Sequence, residues 1–263
     1  MSILNMTPDS FSDGGRWPDA DSALAHAREM IAHGAEMIDV GGESTRPGAD
    51  PVDDEEERRR VLPIIAELAK LPGHGERFVV SIDTKKAAIA RAAMDAGASV
   101  INDVGGFRDD AMIEAAKDTG AGVVVMHMQG EPRTMQTAPH YADVCGEVRD
   151  FFCQRLRHCL ASGVARVNIA FDPGIGFGKS SEHNLALLKR MSTLALPGHA
   201  LAVGVSRKSF IGKVTGSTAM RDREWPTVAL SCHAREHGAR VFRVHDVKPN
   251  VEALRMTEAI LGK

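Results

Sequence analysis

A short apolar run followed by a helical stretch recurs eight times in this chain, and this repetition restricts the possible folds more than any other feature. Continuous apolar runs of this length are typical of strands in a parallel sheet covered on both faces. The predicted strands occupy residues 3–4, 36–40, 78–82, 99–101, 122–126, 167–171, 201–205 and 239–244. Repeated strand-then-helix order predicts an α/β protein. Eight units predict a single-domain (β/α)8 TIM barrel over residues 1–263, with a doubly wound sheet as the alternative.

Three connecting segments carry specific expectations. Pro63 should kink or split the helix that begins near Asp53, because proline lacks the amide proton of the helical ladder. The last helix is predicted from about residue 251 to residue 261. Residues 7–15 and 44–50 form long polar loops rich in glycine and proline, and we expect them to close over the active face when ligands bind.

Composition excludes several classes of protein. The net charge is −3 and no long basic run occurs, so nucleic acid is not favoured as a partner. No apolar run approaches the ~20 residues of a membrane span, and the first ten residues lack the features of a signal peptide. Cys145, Cys153, Cys159 and Cys232 have no C-x-x-C spacing, which indicates reduced thiols in a cytoplasmic protein rather than a disulfide framework or a zinc site.

Polar side chains follow almost every predicted strand. Singly they have structural explanations, since Asp83 or Asp172 could cap a helix and His127 could be an internally bonded histidine. In a barrel, however, the carboxyl ends of all strands converge on one face, where active sites lie. The converging set is Asn5, Arg46, Asp83, Asn102, His127, Asp172, residues 206–208, Arg243 and His245.

This set contains two kinds of chemistry. The cationic members, which could bind a polyanion, are Arg46, Arg207, Lys208, Arg243 and His245. Most of them follow the seventh and eighth strands, where barrels often hold phosphate. Asp83, Asn102 and Asp172 suit instead a planar ring rich in N–H donors, because a carboxylate can accept two parallel hydrogen bonds.

Two segments resemble phosphate sites to different degrees. Residues 203–212 pass from a strand through Ser206, Arg207, Lys208 and Ser209 into a helix, and a helix start with two cations favours an anion site over a solvated basic turn. Residues 172–179 are rich in glycine, but Pro173 and Lys179 stand where a P-loop and a dinucleotide turn, respectively, need glycine. We interpret this second segment as a loop that approaches other backbone closely or moves.

Together these segments resemble the dihydropteroate synthase family. The matching segments are LNMTPDSFSDGG (residues 4–15), GAEMIDVGGESTRPGA (34–49), SIDT (81–84), INDV (101–104), MHMQG (126–130), DPGIGFGK (172–179), GVSRKSFIG (204–212) and RVHDV (243–247). The resemblance implies a Mg²⁺-dependent transferase of folate biosynthesis. Such an enzyme condenses 7,8-dihydropterin pyrophosphate with 4-aminobenzoate to give 7,8-dihydropteroate and pyrophosphate, is the target of sulfonamide inhibitors, and forms a homodimer.

The same resemblance implies a role for each matching residue. The pterin would be bound by Asp83, Asn102, Met126, Asp172, Phe177 and Lys208. The pyrophosphate would be bound by Asn5, Arg46, Arg243 and His245, with Asn5 also at the Mg²⁺ site. The aminobenzoate would be bound by Thr45, Pro47, Phe177, Lys208 and Ser209. The residues expected to act in catalysis are Asp172, Lys208, Arg46, Arg243 and His245. We expect replacement of Arg243 or His245 by alanine to lower turnover and to leave the binding of a pterin without pyrophosphate nearly intact.

Two other functions remain open from the sequence. A pterin-dependent methyltransferase is a similar barrel, but it has no need of residues 206–209 and 243–247 as anion binders. A non-catalytic pterin-binding paralogue would have damaged first or second loops, and both are intact here. Release of pyrophosphate in a coupled assay would separate the three.

Overall fold

The computed structural model describes residues 1–7, 20–44, 49–131 and 134–262. Eight parallel strands form one sheet in sequential order. The strands are β1 (Ser2–Asn5), β2 (Met37–Gly41), β3 (Val79–Asp83), β4 (Val100–Asp103), β5 (Gly122–Met126), β6 (Ile169–Asp172), β7 (Ala200–Val203) and β8 (Ala239–Phe242). Each observed strand lies within about two residues of the predicted one, because short apolar runs between turn-forming residues mark parallel strands well.

The sheet closes on itself through its first and last strands. Ser2 pairs in parallel with Val244, and the Ile3 amide donates to the Val244 carbonyl at 3.0 Å. The Val244 amide in turn donates to the Met1 carbonyl at 3.0 Å. This closure confirms the (β/α)8 barrel and excludes the doubly wound sheet, whose strand order reverses at a switch point.

The helices of the described chain follow the strands in turn. They are α1 (Ala20–Ala32), α2 (Asp54–Ala69), α3 (Ala87–Asp95), α4 (Asp110–Thr119), α5 (Val144–Ala161), α6 (Ser181–Lys189), α7 (Ser209–Thr215), α8 (Glu224–Glu236) and α9 (Val247–Leu261). Short 3-10 turns occupy Arg166–Asn168, Met191–Leu194 and Met220–Arg223.

These bounds correct two expectations, one about a break at Pro63 and one about the start of the last helix. The predicted split at Pro63 is wrong, since α2 continues through it; buried Val61 and Leu68 on either side hold both halves against the core. The last helix begins at Val247, four residues earlier than expected, and includes Pro249. A proline in the first turn lacks only an amide proton that has no helical partner anyway.

All four cysteines are free thiols, and Cys145 and Cys159 are buried. Among the described residues, none of the helices combines the length and the apolar character that crossing a bilayer requires.

Candidate active site

The polar residues that end the strands gather at one end of the barrel, as predicted. An inner cavity there is lined by residues that include Asp83, Asn102, Met126, Asp172, Phe177, Lys208 and Arg243. A wider outer cavity shares Asp83, Phe177, Lys208 and Arg243 with it and adds Asn5 and Ser209. The structure therefore brings most of the predicted site residues into one mouth with two connected compartments.

Arg243 joins two buried acids at the centre of this mouth. Its Nε donates to Asp39 Oδ2 at 2.6 Å, and its Nη2 donates to Asp83 Oδ2 at 2.6 Å. Asn102 Nδ2 donates to the same Asp39 oxygen at 3.1 Å. The second oxygen of each acid, Oδ1, is buried and accepts no hydrogen bond from the described residues. Buried acceptors are almost always satisfied, and Asp83, unlike Asp39, lines both cavities, so Asp83 Oδ1 indicates a donor that a ligand supplies.

Asp39 is a site residue that the sequence interpretation missed. It lies in β2 between Ile38 and Val40, and all three residues are fully buried. Because side chains alternate along a strand, Asp39 lies on the opposite face of the sheet from these two apolar neighbours, which pack in the main core. The available signal was an acid inside an apolar run, since charged residues are rarely buried unless they are paired.

Burial and ion pairing set the protonation of this centre. Burial raises the pKa of Asp83 to about 7, although the Arg243 guanidinium opposes the shift. Burial alone would lower the pKa of Arg243, but Asp39 and Asp83 raise it beyond its ordinary value. Arg243 therefore stays charged, while Asp83 changes protonation near neutral pH.

Asp172 and Lys208 form the opposite wall of the inner cavity. Asp172 ends β6, its Oδ1 accepts a hydrogen bond from the Gly174 amide at 2.7 Å, and burial raises its pKa. Lys208 Nζ lies 3.8 Å from the centre of the Phe177 ring, in a cation–π contact. Burial and the charge of Arg243 lower the pKa of Lys208 to about 7. This lysine can therefore exist in either protonation state at neutral pH.

The glycine-rich segment after β6 lies against the segment after β5, which confirms the predicted close approach. Gly174 has φ 63°, and a Cβ there would overlap the His127 carbonyl. Gly178 has φ 59°, and a Cβ there would overlap the Gln129 carbonyl. Only glycine combines this left-handed backbone with such contacts, so both positions fix where Phe177 lies.

Lys179 connects the segment after β6 to the segment after β5 through buried hydrogen bonds. Its side chain is 2% exposed, and Nζ donates to His127 Nδ1 at 3.0 Å and to the Phe177 carbonyl at 2.9 Å. Burial lowers the pKa of Lys179 to about 7 and, with the Lys179 charge, lowers the pKa of His127 to about 2. His127 is thus a neutral, internally bonded histidine, the structural alternative considered above. Lys179 was not expected in this positioning role.

Arg207 does not contribute a free cation to the mouth. Its Nε and Nη2 donate to the two carboxylate oxygens of Asp246 at 3.0 and 2.6 Å. Arg207 also lines the outer cavity, so its role in binding a polyanion stays a prediction, with two of its nitrogens already engaged by an adjacent carboxylate. Asp246 therefore pairs with Arg207, whereas Arg243 pairs with Asp39 and Asp83.

His245 lies behind Ser206. Its Nδ1 is 2.9 Å from Ser206 Oγ, and its amide donates to the same hydroxyl at 3.2 Å. Ser206 lines both cavities, whereas His245 lines neither. In this arrangement His245 meets a ligand through Ser206 or after a change of side-chain rotamer.

The base of the second loop is held by an ion-pair network. Glu43 lines the outer cavity and lies 3.1 Å from Lys85 Nζ and 3.2 Å from Lys86 Nζ. Desolvation would raise the pKa of Glu43, but the two lysines outweigh it and lower this pKa below its ordinary value. Lys86 Nζ also lies 2.7 Å from Glu57 of α2. The three predicted residues of this loop, Thr45, Arg46 and Pro47, lie outside the described residues, as does most of the first loop.

Among the described residues, one group of three side chains could hold a metal ion through His, Cys, Asp or Glu, and it is not at the mouth. It comprises His233, Glu236 and His237 at the end of α8. At the mouth, the predicted metal ligand Asn5 ends β1 and lines the outer cavity.

Comparisons with known proteins agree with this geometry. The profile of the pterin binding enzyme family matches residues 1–245. The chain is 45% identical to the dihydropteroate synthase of Escherichia coli K12, an alignment covering 100% of this chain and 91% of that protein. It is 44% identical to the dihydropteroate synthase of Neisseria meningitidis serogroup C, covering 99% and 92%.

Two solved structures that resemble this chain are also dihydropteroate synthases. The dihydropteroate synthase of Yersinia pestis in complex with a sulfonamide drug superposes with a TM-score of 0.93 at 42% identity, covering 100% of this chain and 94% of that one. The enzyme of Burkholderia cenocepacia complexed with 7,8-dihydropteroate superposes with a TM-score of 0.88 at 42% identity, covering 99% and 90%.

Proposed function

The chain belongs to the pterin binding enzyme family, and we propose how its barrel mouth performs the dihydropteroate synthase reaction. The reaction condenses 7,8-dihydropterin pyrophosphate with 4-aminobenzoate to give 7,8-dihydropteroate and pyrophosphate. The bond between the pterin methylene carbon and the pyrophosphate oxygen breaks, and its electron pair leaves with pyrophosphate. The aryl amine then forms a bond to the resulting pterin cation and loses one proton. Such a reaction depends on positioning and on charge stabilisation more than on a strong base.

The inner cavity binds the pterin ring. The observation that carries this assignment is the buried, unsatisfied carboxylate oxygen Asp83 Oδ1, which belongs to a residue that lines the inner cavity. The N–H groups of a pterin supply the donor that this oxygen lacks, Asp172 adds a second carboxylate to the cavity lining, and Asp39 holds Arg243 and Asn102 in place from behind. Met126 provides apolar contact, since it packs with Val104 and Phe177.

Lys208 and Phe177 separate the two compartments, because both line the inner and the outer cavity. The amine of aminobenzoate must reach the pterin carbon across this boundary. The neutral form of Lys208, accessible with a pKa of about 7, is an adjacent acceptor for the proton that the amine loses. Ser209 is exposed in the outer cavity, where it can bind the aminobenzoate carboxylate together with Thr45 and Pro47 of the second loop.

The leaving pyrophosphate occupies the outer cavity. Arg243 uses Nε and Nη2 for the two acids, which leaves Nη1 to donate to the anion. Arg46 and His245 are the further pyrophosphate ligands that we assign. Charge that grows on the pyrophosphate as the bond breaks is thereby met by fixed donors.

The residues at the end of β1 fit a Mg²⁺ ion bound with the pyrophosphate. Gly41 has no side chain, and a Cβ there would lie 3.3 Å from Asn5 Oδ1 and 3.7 Å from Asp83 Oδ2. Asn5 Oδ1 is thus a hard oxygen next to Asp83 at the outer cavity, and Mg²⁺ typically takes one or two protein oxygens besides water and phosphate. When bound, the ion neutralises charge on the pyrophosphate, while Asn5 orients it.

We further assign a homodimer in the cytoplasm. Six of the large exposed apolar side chains of the described chain lie on consecutive elements from α6 to α9. They are Leu185, Val214, Met220, Trp225, Met256 and Ile260. The homodimer would bury these side chains, and the four free thiols suit a reducing compartment.

The pterin assignment is tested by calorimetric titration of a pterin that lacks pyrophosphate. Asp172→Asn removes the ionised acceptor and should weaken binding by about 1.5–3 kcal/mol, the contribution of a charged hydrogen bond. Asp118→Asn is the matched control, because Asp118 is an exposed acid that pairs with Arg91 far from the mouth. Equal affinity of both variants, with the fold intact, would show that Asp172 only caps the Gly174 turn.

A further inference from the structure

The end of α8 carries the spacing H-x-x-E-H at His233, Glu236 and His237. Residues four apart lie on the same face of a helix, so the two imidazoles adjoin, with ring centres 4.1 Å apart. One potential ligand atom from each of the three residues lies within 4.8 Å of those of the other two. The reaction at the mouth uses none of these residues.

Hydrogen bonds to backbone carbonyls fix the tautomers of both histidines. His233 Nε2 lies 3.1 Å from the Leu188 carbonyl, and His237 Nδ1 lies 2.8 Å from the His233 carbonyl. A carbonyl oxygen only accepts, so each of these nitrogens carries the ring proton. In the neutral rings, His233 Nδ1 and His237 Nε2 therefore keep a lone pair. Metal-binding histidines are oriented in this way, with the other ring N–H donated to a carbonyl or carboxylate.

The surroundings also favour a cation. The site lies in the last turn of α8, where the helix dipole is negative. Arg235, the cationic residue between His233 and Glu236 in the sequence, is engaged by Glu258, with Nε 2.8 Å from Oε1. Ligand atoms that now lie up to 4.8 Å apart must approach one another by up to ~1.5 Å to form a tetrahedral site with zinc–nitrogen distances near 2.0–2.1 Å. Glu236 is exposed, so its side chain can rotate toward the imidazoles to allow this approach.

We propose that His233, Glu236 and His237 form a binding site for a divalent transition-metal ion, with Zn²⁺ as its representative. Two imidazoles and one carboxylate are a known zinc donor set, which leaves a fourth position for water. Because α8 ends just before β8 begins, the site lies at the opposite end of the barrel from the mouth. All three ligands lie at the end of α8, so a bound ion stabilises this last turn of the helix and orients His233, whose Nε2 is bonded to Leu188 of α6.

The test is isothermal titration of the metal-free protein with Zn²⁺ alone, combined with thermal unfolding. The wild type should bind one equivalent per chain at this site and unfold at a higher temperature with Zn²⁺. His237→Ala and Glu236→Gln should each weaken this binding about tenfold or more and abolish the rise in Tm. Both variants keep the His233–Leu188 hydrogen bond, and Glu236→Gln also keeps the bond from His237 to the His233 carbonyl, so folding of Glu236→Gln in the absence of metal should be unchanged and the rise in Tm of each variant is measured against its own metal-free form.

Two controls separate this site from adventitious binding. His158→Ala removes an exposed histidine that pairs with Asp110, and Cys232→Ser removes the thiol adjacent to His233; both should retain wild-type affinity for Zn²⁺. With Co²⁺ as the probe, the wild type should show the absorption of a tetrahedral ion, and His237→Ala should not. Equal Zn²⁺ binding by the wild type and His237→Ala, or no one-to-one binding at all, would overturn the proposal.

Discussion

Replacing Arg243 by alanine is expected to destabilise the protein strongly and to do so in a pH-dependent way. The guanidinium makes two charged hydrogen bonds of 2.6 Å, to a fully buried Asp39 and to Asp83, which is 7% exposed. Removing one partner of a buried ion pair costs about 3–5 kcal/mol, because the remaining charges are uncompensated.

The pH dependence follows from Asp83, whose pKa is already raised to about 7. A raised carboxyl pKa means that the folded state binds more protons than the unfolded state, so its contribution to stability is present at low pH and is lost as pH rises through the folded pKa. Without Arg243 that pKa rises further, and the loss continues above pH 7. The destabilisation should therefore be nearly constant from pH 5 to about pH 7, where both proteins lose stability at the same rate, and should grow from about pH 7 to pH 8.5 by at most about 1.4 kcal/mol per pH unit.

Urea unfolding of both proteins across this pH range measures the effect. Arg91→Ala, which breaks the exposed pair with Asp118, is the control and should cost at most about 1 kcal/mol at every pH. Asp83→Asn in the Arg243→Ala background should recover part of the loss. A cost below about 1 kcal/mol for Arg243→Ala, or one that does not vary with pH, would refute the reasoning. Because Arg243 holds Asp83, which lines the inner cavity, we expect its loss to weaken the binding of a pterin without pyrophosphate as well as turnover.

Two further substitutions test the support beneath Phe177. The pKa of Lys179 is lowered to about 7, so above that pH the folded state binds fewer protons than the unfolded state. The free energy of unfolding of the wild type should therefore increase relative to that of Lys179→Met, by up to about 1.4 kcal/mol per pH unit between pH 7 and pH 10. A difference that stays constant over this range would contradict the prediction. Gly174→Ala should raise the KM for the pterin substrate and lower stability, because its Cβ would overlap the His127 carbonyl, while Gly198→Ala, with φ 83° but no neighbour within 4 Å, should cost only the backbone strain. Equal losses in both glycine variants would show that the packing between the two segments is unimportant.

The fold was predictable because it depends on local patterns. Short apolar runs, each followed by a helix that stops near a glycine, specify strand positions and parallel order without reference to tertiary contacts. The errors arose where tertiary packing decides. Burial of Val61 and Leu68 keeps α2 continuous through Pro63, and the first-turn position of Pro249 permits an earlier start of α9.

The site was predictable only in part. Polar strand ends and the family resemblance indicate Asp83, Asn102 and Asp172, and the structure places all three at the inner cavity. Asp39 was not predicted as a site residue, because it lies inside a strand rather than at its end. The partners of charged residues also depend on three-dimensional proximity.

Arg207 and Arg243 illustrate this limit. Both are cations near the ends of the last two strands, yet one is paired with Asp246 and the other with Asp39 and Asp83. Sequence spacing alone does not distinguish an arginine that is held by a neighbouring acid from one that reaches into the centre of the barrel.

The most direct test of the account is the rate of pyrophosphate release with dihydropterin pyrophosphate, 4-aminobenzoate and Mg²⁺, measured together with the formation of dihydropteroate. We predict one pyrophosphate for each dihydropteroate, no release of either product without both substrates, and a fall in kcat/KM of about 10- to 100-fold in Asp39→Asn, with Asp118→Asn unchanged. Binding of the pterin without release of pyrophosphate, as in a methyltransferase or a non-catalytic paralogue, would contradict the function, and an Asp39→Asn enzyme as active as the wild type would contradict the role of the buried acids.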